Sequence, residues 1–429
     1  MNSKISALLS LFSCLTIHAS DWPSWRGPLG NNISPESEAP TQWDKTKNIR
    51  WRAELPSPGN SSPIVFGNRV YITQAVEDEG IREVLCFDRI TGKLLWKKGT
   101  VYKEKEQRHE TNTHCAASPV TDGERVIAHF GSAGLFCFDL EGKELWHVDL
   151  GKQNHTWGNA SSPVIQGNLV LIYHGPGTPS ILYALDKTSG KKVWSVDLPE
   201  VYPKERFDGF AGKTDGMMGS FATPIVVKTS NRQEVVLPVS NQVRAFELST
   251  GKPLWFCEGM NPLVYSSPTY TEGSIVTMGG YFGSVSVVKP GGSGNMTGNQ
   301  TWYEQRAKKH RIGSPVIHKG RIFIGNTDGH AECLDLATGK QLWLERLKGN
   351  EADGETWASM VLVGGNIYIV NRSGDTFVLR AGPAFEVVSI NSVGEKSNST
   401  IAVSRGDLFL RTHQALWCIS DTKQTASAR

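Results

Sequence analysis

The sequence predicts an all-β fold, an eight-bladed propeller of four-stranded antiparallel blades, and three observations predict it. A Trp-bearing hairpin recurs along the chain, a Ser or Thr opens an apolar run once per repeat, and each chain end carries the part of a repeat that the other lacks. Self-similarity at a period of ~40 to 50 residues marks an array of small identical units.

The hairpin reads Asp88-Arg-Ile-Thr91-Gly92-Lys93-Leu-Leu-Trp96, Asp186-Lys-Thr-Ser-Gly190-Lys-Lys-Val-Trp194, Glu247-Leu-Ser-Thr250-Gly251-Lys-Pro-Leu-Trp255 and Asp335-Leu-Ala-Thr338-Gly339-Lys-Gln-Leu-Trp343, with acid and Trp eight residues apart. Asp139-Leu-Glu-Gly142-Lys-Glu-Leu-Trp146 drops one turn residue. Lys289 to Trp302 is swollen by a glycine-rich insert, Gly291 to Gly294, which reads as a flexible turn, and Arg380 to Val388 puts Val388 where the Trp belongs. Gly in the hairpin supplies the positive φ that the reversal needs.

The second marker falls at Ser62, Ser118, Ser162, Thr223, Ser267, Ser314, Ser359 and Thr400, at separations of 56, 44, 61, 44, 47, 45 and 41 residues. Eight starts imply eight units. Pro63 to Ile72 shows the opening of a unit, two β-rich runs around Gly67-Asn68, and the shape returns at Val120 to Ala128, Val164 to Ile172 and Val316 to Ile324. No long segment has helical periodicity. One such sheet cannot bury both faces, whereas eight arranged radially bury each against the next. The recurring Trp51, Trp96, Trp146, Trp194, Trp255, Trp302 and Trp343 are expected between blades, each with one N–H for a backbone partner.

The last repeat ends after Ala415 to Ser420 without a fourth strand, and Asn48-Ile49-Arg50-Trp51-Arg52 is a Trp-bearing strand with no three strands before it. The N-terminal strand is therefore expected to complete the last blade. The organisation that follows is a signal peptide at 1–20, an N-terminal extension at 21–47, one propeller at 48–421 and a tail at 422–429.

Lys and Arg number 45 against 42 acids in 429 residues, a net charge of +3, which predicts neither a nucleic-acid nor a membrane-surface partner. Lys4, the apolar run from Ile5 to Ile17 and the small pair Ala19-Ser20 read as a secretory signal, too short for a membrane span of ~20 residues. The expected location is the periplasm or cell envelope. A second reading takes Leu11-Phe-Ser-Cys14 as a lipoprotein cleavage box, with Cys14 carrying the lipid. Cys86, Cys137, Cys333 and Cys418 hold equivalent third-strand positions, which radial repetition keeps too far apart for disulfides, so they read as small core residues. Cys115 and Cys257 lie outside that pattern, and their pairing stays open.

The Asp-x-x-Thr-Gly-x-x-x-Trp units resemble the repeats of the pyrroloquinoline-quinone (PQQ) type propellers, a superfamily that includes quinoprotein alcohol dehydrogenases and the propeller lipoprotein of the outer-membrane-protein assembly machine. The opening Asp21-Trp22-Pro23-Ser24-Trp25-Arg26-Gly27-Pro28, with Ala128-His-Phe-Gly131 and Leu379 to Glu386, is similar to an exported subgroup without assigned activity. The resemblance spans the mature chain and is specific for fold, while function belongs to sites carried on the scaffold.

Connections between units emerge on one face together with the second-to-third-strand loops. The long ones there, Trp96 to Ser118 and Trp194 to Thr223, with Thr73 to Glu83, make that face and the channel mouth the expected binding surface. The candidate mouth residues are Asn60, His114, Trp157, Asn159, Tyr265, His310, Arg311, Trp357 and Asn398. His114 and His310 stand in opposite units and read either as a facing pair around an anion or metal, or as loop histidines bonded to backbone. Arg311 reads as a carboxylate fork or a loop brace. Trp157 and Trp357, also in opposite units, read as stacking platforms or as packing under a loop.

Three functions remain. The favoured one is a monomeric, non-catalytic scaffold binding envelope or extracellular proteins through the loop-rich face. A quinoprotein oxidoreductase is the alternative: the resemblance implies PQQ on calcium, an acidic base and an adjacent cysteine pair, but no two cysteines here are adjacent. Calcium needs six to eight oxygen ligands, and Glu110, Glu355 and the Asn residues form no set by spacing. A receptor for a small ligand or glycan is the second alternative. No Gly-x-Ser-x-Gly elbow, His-Glu-x-x-His helix or phosphate loop is present, so no catalytic residue and no metal ligand is assigned.

Overall fold

Each repeat folds as a four-stranded antiparallel sheet whose middle strands are apolar on both faces and whose outer strand is not. In the first blade, Ile64–Phe66, Arg69–Val76, Ile81–Asp88 and Leu94–Val101 pair in that order. The second and third strands are buried over six consecutive residues, while the outer strand is largely exposed. That gradient is what radial stacking dictates: neighbouring blades cover both faces of the middle strands, and only the recurring Trp of the outer strand reaches inward. The computed structural model describes residues 21–421 apart from 204, 207, 211, 213–216, 305–309 and 350–353. The segment expected to be a signal peptide, Cys14 and the expected tail lie outside the described residues.

Six more sheets follow in sequence, beginning at Val120–Thr121, Val164–Gln166, Ile225–Lys228, Thr269–Thr271, Val316–His318 and Val361–Val363. The eighth consists of Ala402–Ser404, Asp407–Arg411 and Ala415–Ser420, with Ile49–Glu54 as its outer strand. That last strand runs antiparallel to its neighbour, Trp51 opposite Cys418 and Glu54 opposite Ala415. Closure by the N-terminal strand is therefore observed, and the fold is an eight-bladed propeller.

The once-per-repeat Ser or Thr has a structural cause. Ser62 N–H donates to Ser118 Oγ (2.8 Å), Ser118 to Ser162, Ser162 to Thr223, Thr223 to Ser267, Ser267 to Ser314, Ser314 to Ser359, Ser359 to Thr400, and Thr400 back to Ser62 Oγ (2.9 Å). All eight residues are buried. A hydroxyl at each inner-strand start thus satisfies a backbone donor of the adjoining blade, and the collar closes on itself around the channel.

The Trp positions lock neighbouring blades at the periphery. Nε1–H donates to the hairpin carbonyl of the next blade for Trp51 (Arg89 O, 2.8 Å), Trp96 (Leu140 O, 2.8 Å), Trp146 (Lys187 O, 3.1 Å), Trp194 (Leu248 O, 2.9 Å), Trp302 (Leu336 O, 2.8 Å) and Trp343 (Gly382 O, 3.3 Å). The hairpin glycine lies on the ring: a Cβ at Gly251, where φ is +72°, would sit 2.6 Å from Trp194. Opposite six of the seven Trps on the third strand is a small residue, Cys86, Cys137, Ala184, Ala245, Cys333 or Cys418, and Trp302 stands opposite Val287. The six described cysteines are all free and buried.

Three local expectations change. The Gly291 to Gly294 insert is not a loose turn. Gly294–Asn295 pairs in parallel with Trp255 and Phe256, adding a fifth strand to the fourth blade. The hairpin carbonyl is displaced there, so Trp255 instead donates to buried Glu234 (2.8 Å), which also accepts from Gly291 N and Arg232. In the seventh blade the register places Ser389, not Val388, opposite Val378, because the longer turn shifts the bulge by one. The missing ring comes from the N-terminal extension: Trp43 stacks on Tyr368 at 6.4 Å, and its backbone N–H donates to Asn391 Oδ1 (2.9 Å).

The rest of that extension crosses the propeller on the tight-turn face. Trp22 exchanges two 2.8 Å backbone bonds with Val65 in the first blade, and Asn32 and Ser34 bond Leu362 in the seventh. Between them Arg26, fully buried, donates to Pro268 O (2.5 Å) and Thr269 Oγ1 in the fifth. Residues 22–34 therefore lie across the channel and stopper that end.

Candidate functional site

Counting back two residues from each collar position gives Asn60, Ala116, Ala160, Phe221, Tyr265, Ile312, Trp357 and Asn398. All eight line one chamber in the channel, of about 180 Å³, together with Thr111, Asn112, Trp157, Tyr281 and collar hydroxyls including Ser62 and Ser118. Trp25, from the crossing segment, also lines it. The geometry follows from the repeat: the position two before a hydroxyl that faces the adjoining blade turns into the channel in every unit.

Going round the ring, one half is polar or small and the other large and apolar. Asn398, Asn60, Ala116 and Ala160 come from consecutive blades, then Phe221, Tyr265, Ile312 and Trp357 from the next four. Each Asn therefore stands across from an aromatic ring. On the polar side Asn398 Nδ2 donates to Asn60 Oδ1 (3.4 Å), Asn60 Nδ2 to Thr111 O (3.0 Å), and Asn112 Nδ2 to Trp157 O (2.7 Å). On the aromatic side Phe221 and Tyr265 stack at 5.2 Å with planes 6° apart, and Tyr281 meets Tyr265 edge-on at 5.7 Å. His155 props Phe221 edge-on at 5.4 Å, with Nε2 2.8 Å from Met218 O, and burial lowers its pKa to about 4.

Burial pushes the Tyr265 hydroxyl far above its ordinary value, with Tyr281 and Asp208 acting in the same direction, so it stays neutral. Its Oη is buried without a hydrogen-bond partner among the described residues, as are Trp357 Nε1 and Asn398 Oδ1. No Asp, Glu, Lys, Arg or His is among the described residues lining the chamber.

Of the nine mouth residues expected from sequence, Asn60, Trp157, Tyr265, Trp357 and Asn398 come together in this chamber. The other four sit elsewhere. His114 is held by Glu77 (Nδ1 to Oε2, 2.5 Å), with Glu106 3.8 Å from Nε2, in an outer cleft between Glu77 and Tyr102. Burial alone would raise the Glu77 pKa, but His114 and Arg108 hold it down to about 2. Asn159 is buried, donating to Gln153 Oε1 (3.1 Å). His310 packs edge-on against Tyr281 (4.7 Å) and Phe282 (4.8 Å), and burial lowers its pKa. Arg311 is fully buried and bonds Gly283 O (3.2 Å), Glu304 (3.1 Å) and Glu332 (3.2 Å), a brace between strands. Sequence reading missed Phe221, Tyr281 and Trp25. The offset of two would have found Phe221.

These residues are a poor fit to PQQ on calcium. The cofactor is a tricarboxylate, and calcium takes carboxylate oxygens, yet the described lining offers neither a cation nor an acid. The carboxylate of Glu355 is paired with Arg372 (2.7 Å), whose guanidinium covers the Trp357 ring at 5.0 Å. Among the described residues no three His, Cys, Asp or Glu side chains form a metal-holding group.

Among the described residues, the loop-rich face around the mouth is held by ion pairs and stacking. Arg82 pairs with Glu106 (2.6 Å), Lys152 with Glu104 (2.9 Å) and Arg206 with Asp208 (2.7 Å), while His109 stacks on Trp157 at 4.3 Å. Beside them a surface groove is lined by Val201, Tyr202, Met260, Phe282 and Tyr303, and Val201 and Tyr202 are 65% and 51% exposed.

The family model for outer membrane protein assembly factor BamB matches residues 37–181 and 178–427. Among curated relatives, tetrathionate hydrolase of Acidithiobacillus ferrooxidans is 24% identical over 76% of this chain. The chain spans just under two thirds of that relative, 66% of its length. BamB of Burkholderia pseudomallei is 21% identical over 77% of this chain and 87% of its own. A europium-containing methanol dehydrogenase structure superposes with a TM-score of 0.64 at 12% identity, covering 91% of this chain and 89% of that one, a likeness of fold alone.

Proposed function

The chain belongs to the family described as outer membrane protein assembly factor BamB, within the PQQ-like repeat propellers, and we propose that it is an exported, non-catalytic binding protein. It acts as a rigid disc in the periplasm or cell envelope, monomeric, docking other proteins on its loop-rich face. The observation that carries this reading is the pairing of a loop face bearing exposed Val201 and Tyr202 with a channel whose described lining holds no carboxylate, histidine, cysteine or cation. An exposed aromatic anchor beside ion-paired loops suits protein recognition, and the described lining offers general acid–base chemistry only tyrosines, whose pKa values are raised by burial. The names of the curated relatives pull both ways, one an assembly factor and one a hydrolase. Tetrathionate is a dianion, and the described lining has no cation to receive it.

Photo-crosslinking in cells tests the reading. A photoreactive residue at Tyr202 should trap discrete envelope proteins, whereas one at Thr91, on an exposed blade-rim hairpin, should not. No adduct from Tyr202, or equal adducts from both, contradicts the assignment.

A further inference from the structure

We propose that the channel chamber is a binding site for one neutral saccharide ring, the end residue of a glycan. The inference rests on the non-catalytic reading of the channel and adds the chemistry of its occupant.

Three features of the chamber select that class. The described lining carries no formal charge, so phosphates, carboxylates and ammonium ligands have nothing to replace their hydration. The two halves differ in kind: flat rings at Phe221 and Tyr265 face amides at Asn398 and Asn60 across the channel, and Trp357 adds a third ring beside Asn398. A pyranose is amphipathic in the same sense, with C–H faces that lie against aromatic rings and an equatorial rim of hydroxyls. Finally, Tyr265 Oη, Trp357 Nε1 and Asn398 Oδ1 are buried, unpartnered and part of one wall set. Leaving such groups unpaired is unfavourable, and a ligand rich in hydroxyls, each both donor and acceptor, satisfies two donors and an acceptor together. A purely hydrocarbon ligand would leave all three unmet.

Size and shape point to an end residue. About 180 Å³ of space holds about six waters at ~30 Å³ each, the scale of one sugar ring. Trp25 and the crossing segment stopper the far end, so a chain cannot thread through. Sites built to hydrogen-bond a hydroxyl discriminate strongly against analogues that lack it, so the chamber also sets specificity.

The test uses the full mature chain with the methyl glycosides of glucose, galactose, mannose and N-acetylglucosamine, beside glucuronate and glucose 6-phosphate. Saturation-transfer NMR and intrinsic Trp fluorescence report binding. At least one neutral glycoside is expected to bind saturably, with the two acids binding at least about tenfold more weakly. Trp357→Ala should abolish binding, and Tyr265→Phe should weaken it by about two- to tenfold, the size of one neutral hydrogen bond, at unchanged melting temperature. Tyr265→Phe removes only a hydroxyl, so it keeps the test decisive if Trp357→Ala fails to fold. Absence of binding by all four neutral glycosides at millimolar concentration, or affinity indifferent to Tyr265→Phe, overturns the saccharide assignment alone. Stoichiometric uptake of PQQ with turnover overturns the non-catalytic reading beneath it.

Discussion

Replacing Ser267 by Ala removes one acceptor from the collar and leaves Thr223 N–H, now 2.8 Å from Ser267 Oγ, without its partner. Ser267 is 1% exposed and, unlike Ser62 and Ser118, does not line the chamber. Replacement water is expected to reach the orphaned donor less readily there than at a chamber-lining position, and a penalty of about 1–3 kcal/mol for a buried unsatisfied group is expected. Ser62→Ala removes the acceptor of Thr400 N–H at a position open to the chamber. A water can step in there, so the loss should stay below about 1 kcal/mol. Ser267→Thr keeps the hydroxyl, as Thr223 and Thr400 do in their own blades, and should regain most of the stability. Urea unfolding with a common m-value measures the differences. By heat, an unfolding entropy of about 0.8 kcal/mol/K for about 400 residues translates the larger loss into about 1–4 °C. Equal stability of Ser267→Ala and parent, or Ser62→Ala the more damaging of the two, would refute the collar as a closing device.

Other consequences are as direct. Trp343→Ala empties a site packed by Phe323 at 6.1 Å and Phe385 at 5.3 Å and should cost about 3–5 kcal/mol in denaturant unfolding. Gly251→Ala forces a left-handed backbone on Ala and drives a Cβ into Trp194, so a loss above about 2 kcal/mol is expected; an unchanged midpoint would mean that the hairpin is not docked. Deleting Asp21 to Leu55 removes the eighth blade's outer strand, the channel stopper and Trp43, and should yield aggregation or a non-cooperative melt. His129 and His174 touch at 3.2 Å inside the fold, near the Arg82–Glu106 pair, and burial lowers their pKa values to about 3 and about 4. Since the unfolded state takes up protons that the folded state refuses, their contribution is complete above about pH 6.5 and falls as pH drops towards 4, by up to about 1.4 kcal/mol per pH unit per group. His174→Asn should flatten that slope in melts from pH 7 to 4, and an unaltered slope would exclude the pair as its source.

The period, the blade count and the closing strand were legible because each is written in every repeat: a hydroxyl at the inner-strand start, a Gly at the reversal, a Trp after it. What was not legible depends on segments far apart in the chain. Trp43 supplies the ring that the seventh blade lacks, and Trp25 lines the channel, yet nothing local to either residue says which blade it reaches. The glycine-rich insert looked loose because its partner, the Trp255 strand, belongs to another blade. At the site, Asn60, Tyr265, Trp357 and Asn398 come together because, although chosen by residue type, they share one offset from the collar. His114, Asn159, His310 and Arg311 were chosen by residue type at other offsets, where the backbone turns the side chain into an outer cleft or between strands. Offset carried more information than chemistry.

Equilibrium dialysis of the protein against PQQ with calcium, followed by the quinone spectrum and dye-linked alcohol oxidation, tests the claim that this channel, whose described lining carries no charge, is not a redox site. The account predicts no stoichiometric retention of the quinone and no dye reduction. One quinone held per chain, with turnover, would contradict it.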